Sequence, residues 1–81
     1  MKVRVRVRYT SDITIPITTE YIKLESFLKF CGAAETGGMA KNWIQNGEIL
    51  VNNEICTQRG KKLRPGDRVM CLGECYYVAD A

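Results

Sequence analysis

The segment Arg59-Gly60-Lys61-Lys62-Leu63-Arg64 places four cations within six residues, and Asp67 is the one acid close to them in sequence. Such a cluster suits an array of phosphates, and its grip on one would weaken as salt rises. A solvated basic loop is the competing reading. A second group is Thr36-Gly37-Gly38. A cap residue followed by two glycines leaves backbone N–H groups open at the positive end of a helix, where anions are favoured. Glycine also has no side chain to block close approach. A tight helix start would use the same residues. Lys41, Asn42 and Gln45 continue along that helix, combining a charge with amides that can meet ribose hydroxyls or bases; they also fit an ordinary solvated face. Asn52 lies at a hairpin tip, where it can contact a ligand or serve the turn.

Other chemistry has little to build on. The chain has no histidine, which removes the commonest general base, and no nucleophile stands in an activating motif. Neither a phosphate-binding loop of the nucleotide-hydrolase type nor a dinucleotide fingerprint occurs. Cys31, Cys56, Cys71 and Cys75 form no Cys-x-x-Cys pair, so no zinc site is read. Taking Gly73-Glu74 as a two-residue turn pairs Leu72 with Cys75 and Cys71 with Tyr76, which sets Cys71 and Cys75 on opposite faces. The thiols then act as small apolar side chains. No enzyme activity, cofactor, metal or small-molecule substrate is expected.

The charge is informative by location. Twelve basic and nine acidic side chains give +3 over 81 residues. Residues 2–8, with Lys2, Arg4, Arg6 and Arg8, carry +4; residues 9–57 carry −3; residues 58–68 carry +4; residues 69–81 carry −2. No apolar run approaches the roughly 18 residues of a membrane helix. The basic start is followed by alternating charge rather than an apolar stretch, so no export signal is read and a cytoplasmic, reducing setting is expected.

The elements that must position these groups follow from periodicity. Val3, Val5 and Val7 alternate with the basic residues, and Ile13, Ile15 and Ile17 alternate after a turn at Tyr9–Asp12. This predicts an antiparallel hairpin over residues 1–18, with Pro16 at an edge or bulge. Its arginine face serves edge protection or phosphate contact. Leu24, Phe27, Leu28 and Cys31 form one stripe of a helix between Thr19 and Gly32, capped by Thr18 or Thr19. Thr36 caps a second helix that runs to about Asn46 and buries Ala40, Trp43 and Ile44. Ile49–Val51 turns back at Asn52-Asn53, Arg64-Pro65-Gly66-Asp67 matches a type II turn, and Val69–Leu72 pairs with Cys75–Val78. The predicted fold is one α+β domain, with residues 19–81 as the module behind the hairpin.

Five pieces occur here in a known order. They are Leu24-x-x-Phe27-Leu28-Lys29, Thr36-Gly37-Gly38-Met39-Ala40-Lys41, Gly47-Glu48-Ile49-Leu50-Val51-Asn52, Arg59-Gly60-Lys61-Lys62-Leu63 and Pro65-Gly66-Asp67. Together they resemble the RNA-binding domain named after small-subunit ribosomal protein four, the S-four domain or alpha-L motif. The likeness is strongest to small stand-alone bacterial proteins of that family and runs from Tyr21 to Val78, roughly 70% of the chain. Larger members carry a Ser-Arg pair where Thr36 and Gly37 stand here, so the family's arginine contact is missing. Asn53 stands where glycine is common.

The resemblance implies an alpha-L fold of two packed helices and small antiparallel hairpins, bound to structured RNA, ribosomal or transfer. Thr36, Gly37, Gly38, Lys41, Asn42, Gln45, Asn52, Arg59, Lys61, Lys62 and Arg64 are the implied contacts. Phosphate and shape recognition with little base readout is expected. The alternative is a protein-interaction module that uses the N-terminal hairpin edge.

Overall fold

A computed structural model describes residues 12–81. The expected first strand, with Lys2, Arg4, Arg6 and Arg8, and most of the turn after it lie outside the described residues. The other half of that hairpin is β1 (Asp12–Ile17). Its partner here is the last strand, β7 (Glu74–Asp80), which it joins in parallel with Ile13 opposite Tyr76 and Ile15 opposite Val78.

After β1 the chain forms β2 (Ile22–Lys23), α1 (Leu24–Phe30), α2 (Gly37–Gln45), β3 (Ile49–Val51), β4 (Glu54–Ile55), β5 (Lys62–Leu63) and β6 (Arg68–Cys71) before β7. Five strands make one sheet in the order β1-β7-β6-β3-β4, while β2 and β5 pair separately. Among the described strands β1 stands at a sheet end, which suits Pro16, a residue without an N–H to donate.

One face of the sheet and both helices share a single core. Ile17, Ile49, Val51, Val69, Cys71, Tyr76 and Val78 from the sheet meet Leu24, Phe27, Leu28, Ala40 and Ile44 from the helices. Phe27 is fully buried and meets Tyr76 edge-on, with ring centroids 6.3 Å apart, an arrangement that the ring quadrupoles favour. Trp43, expected inside, is only half-buried and packs against this core.

Two local expectations are corrected. The first helix begins at Leu24, not near Thr19, because Ile22 and Lys23 are extended and pair with Leu63 and Lys62. Lys23 occupies the cap position without a side-chain bond. The free N–H groups of the first turn go elsewhere: Leu24 donates to the Lys61 carbonyl at 2.8 Å and Glu25 to the Arg59 carbonyl at 3.1 Å. Thr19 instead donates its hydroxyl to the Tyr21 carbonyl at 2.8 Å.

The second correction concerns the last hairpin. Cys71 lies opposite Glu74, and Met70 opposite Cys75, so the central turn residues are Leu72 and Gly73, with φ of 53° and 85°. A type I′ turn requires positive φ at both positions, and the twist it imposes suits a hairpin. The neighbouring pairs Val51–Val69 and Ile13–Tyr76 hold β6 and β7 in that alignment. The shift is two residues, so each side chain keeps its face. Cys71 and Cys75 therefore still point to opposite sides of the sheet.

Candidate nucleic-acid interface

The start of α2 is built as its residues predict. Thr36 is extended, and its Oγ1 accepts the Met39 N–H at 3.1 Å. The N–H groups of Gly37 and Gly38 have no acceptor among the described residues. Space does not demand either glycine. A Cβ at Gly37 would meet nothing within 4 Å, and one at Gly38 would meet the Thr36 Oγ1 at an ordinary 3.8 Å. Gly38, Lys41, Asn42 and Gln45 fall at i, i+3, i+4 and i+7, so they make one stripe along the helix. All four are exposed.

The basic segment is held differently. Its backbone is tied to α1 by the Arg59 and Lys61 carbonyls and to β2 by β5, so it borrows rigidity from the helix that it caps. Arg59 reaches Glu25 at 3.7 Å, with both side chains well exposed. Lys62 Nζ lies 4.9 Å and Arg64 Cζ 5.9 Å from the centre of the Tyr21 ring. Lys61 has no ion-pair partner among the described residues. It borders an open hollow of about 290 Å³, lined also by Asn52, Glu54, Cys56, Thr57 and Gln58.

Asn52 does structural work. At φ 51° it occupies the turn, with Asn53 at 72°. Its Nδ2 donates to Asp67 Oδ1 at 3.1 Å, and its Oδ1 accepts the Arg68 N–H at 3.0 Å. Asp67 in turn accepts the Arg64 N–H at 2.9 Å. The turn that carries this aspartate has Gly66 at φ 103°, as a type II turn requires. Asn52 thus fastens the far end of the basic segment to the β3–β4 turn, its side-chain oxygen and nitrogen both being engaged.

The sites therefore fall into two groups. Arg59, Lys61, Lys62 and Arg64 belong with Asn52 through backbone and turn contacts. Thr36 to Gln45 shares no hydrogen bond or ion pair with Arg59–Arg64 among the described residues. Sequence reasoning missed Tyr21 and Glu25, both brought to the basic segment by the β2–β5 pairing and the start of α1. Nothing local marks them, since about 40 residues of chain separate the partners.

Burial disfavours the thiolate at three of the four cysteines. Burial pushes Cys31 and Cys75 up, and takes Cys71 to about 11. A thiol so raised is protonated at neutral pH, and the thiolate is the form that attacks or binds metal. Among the described residues no group of three or more Cys, Asp or Glu could hold a metal ion, and no helix is long and apolar enough to cross a membrane.

Comparison with known proteins bears on the family and the fold. A family model described as the S4 domain matches residues 15–79. A relative from Bacillus subtilis (strain 168), named "Probable ribosome maturation protein RlbA", is 47% identical over 59 residues, which cover 73% of this chain and 83% of the relative. The solution structure of YbcJ from E. coli, described as revealing an alfaL motif involved in RNA-binding, superposes with a TM-score of 0.62. Its identity is 23%, over 95% of this chain and 96% of that one, a likeness of fold.

Proposed function

The chain belongs to the S4 domain family, and on that footing we propose that it is a non-catalytic module that binds structured RNA through phosphate contacts. The observation that carries the reading is the run Lys61-Lys62-Leu63-Arg64, whose three cations are exposed around a buried Leu63 and whose backbone is pinned to the start of α1 and to the Asn52–Asp67 clasp. A backbone already held in place presents exposed cations to a sugar-phosphate path without a further cost of ordering the main chain. Thr36, Gly37, Gly38, Lys41, Asn42 and Gln45 form the second contact in this proposal, with the open N–H groups of the glycines taking a phosphate. Asn52 acts here as a positioning residue. Ribosomal RNA is the first target to try, supported by the ribosome-maturation name of the B. subtilis relative, and transfer RNA is the comparison.

The test is a titration of labelled ribosomal RNA fragments, transfer RNA, single-stranded RNA and duplex DNA at several salt concentrations. The proposal expects salt-dependent binding that favours structured RNA. Absence of salt-dependent binding, or equal affinity for all four, would contradict it.

A further inference from the structure

Resting on that RNA reading, we infer that Tyr21 is a stacking platform for one unpaired base, while Lys62 and Arg64 take the phosphates beside it. Among the described aromatics Tyr21 alone adjoins the basic segment. Phe27 and Tyr76 are core, Trp43 packs against the core, Phe30 is an exposed residue at the end of α1, and Tyr77 faces Arg68. The Tyr21 ring is half-buried but outside the core cluster, and its hydroxyl makes no hydrogen bond among the described residues. The backbone that carries it is nonetheless fixed. The Thr19 hydroxyl holds its carbonyl, and the Ile22–Leu63 and Lys23–Lys62 pairs anchor the strand that follows.

In the free protein the ring is approached by the Lys62 ammonium and the Arg64 guanidinium at 4.9 and 5.9 Å. Both side chains are exposed. A cation over a ring at a wet surface is held weakly, whereas a phosphate offers a full opposite charge and strong hydrogen bonds. Arrival of RNA therefore draws the cations from the ring to the backbone and frees the ring for a base. The ligand defined by this chemistry is an unpaired nucleotide at a bulge or loop. Selectivity is for an unstacked base rather than for its identity, since every base has a face to stack.

The test uses the full chain and two hairpin RNAs of equal length, one fully paired and one with a single bulged 2-aminopurine. The bulged hairpin should bind more tightly, and its fluorescence should be quenched on binding. Tyr21→Leu, which keeps bulk but lacks a π face, should lower affinity for the bulged hairpin about tenfold and leave the paired one unchanged. Tyr21→Phe should retain both preference and quenching. Equal binding of the two hairpins by the wild type, or binding without quenching, would overturn the inference even if the leucine variant failed to fold. Failure to bind either hairpin would overturn the RNA reading itself and this inference with it.

Discussion

The stripe on α2 and the segment Arg59–Arg64, the two halves of the proposed interface, are built in different ways. The stripe is self-contained: Thr36 caps it, the helix spaces it, and one cation, Lys41, stands among neutral donors. The basic segment has little regular structure of its own, β5 being two residues long. Its shape is set by α1, by β2 and by the Asn52–Asp67 clasp, and Glu25 and Tyr21 already engage three of its four cations. Local sequence thus shapes the stripe, while the dense charge needs the whole fold to place it. The two should respond differently to mutation.

The largest effect should come from the charge. Lys61→Ala with Lys62→Ala should weaken RNA binding roughly 10- to 100-fold and lower the salt slope by about two, one for each lysine, as read by fluorescence anisotropy across a salt series. Loss of Lys41 alone should lower the slope by about one. Equal effects from the two changes would erase the distinction between the regions.

Asn52→Ala comes next. It removes both side-chain bonds of the clasp and places alanine at positive φ, for a cost of about 2 kcal/mol in thermal or urea unfolding. Binding should fall through misplacement of Arg64, while amide shifts in α2 stay in place. Spread of the perturbation into α2 would show that the regions are one unit.

Smaller changes set stability against binding within the stripe. Gly37→Ala or Gly38→Ala should stabilise the protein by roughly 0.5 kcal/mol each, through loss of backbone freedom in the unfolded chain. Each should also weaken RNA binding a few-fold if a phosphate approaches these N–H groups. A stabilised variant with unchanged affinity would remove the helix start from the interface. Smallest of all, Glu25→Gln should free Arg59 and tighten binding about two-fold, since an exposed ion pair contributes roughly 0.2–1 kcal/mol.

The same division explains how much could be read from the chain. The Leu24/Phe27/Leu28 stripe, the Thr36 cap, the Asn52-Asn53 turn and the Gly66 turn were legible, because each is decided within a few residues. The start of α1 was not, because Lys61 and Arg59, distant in sequence, supply the acceptors that a nearby threonine was expected to provide. The last turn misled for a related reason. Gly73 pointed to a Gly73-Glu74 turn, yet the strands on either side impose positive φ on Leu72, which a leucine seldom adopts. Face assignment survived, since a two-residue shift preserves alternation. Of the candidate contacts, the cations were visible as composition. Their partners Glu25 and Tyr21, and the engagement of Asn52, exist only in the folded chain.

The most direct measurement is amide chemical-shift mapping of the full chain during titration with a structured ribosomal RNA fragment. The account predicts salt-sensitive perturbations concentrated at Gly37, Gly38 and Lys41 and across Arg59–Arg64, with β1 and β7 little changed. Perturbations confined to β1 and β7, or none at any salt concentration, would contradict it.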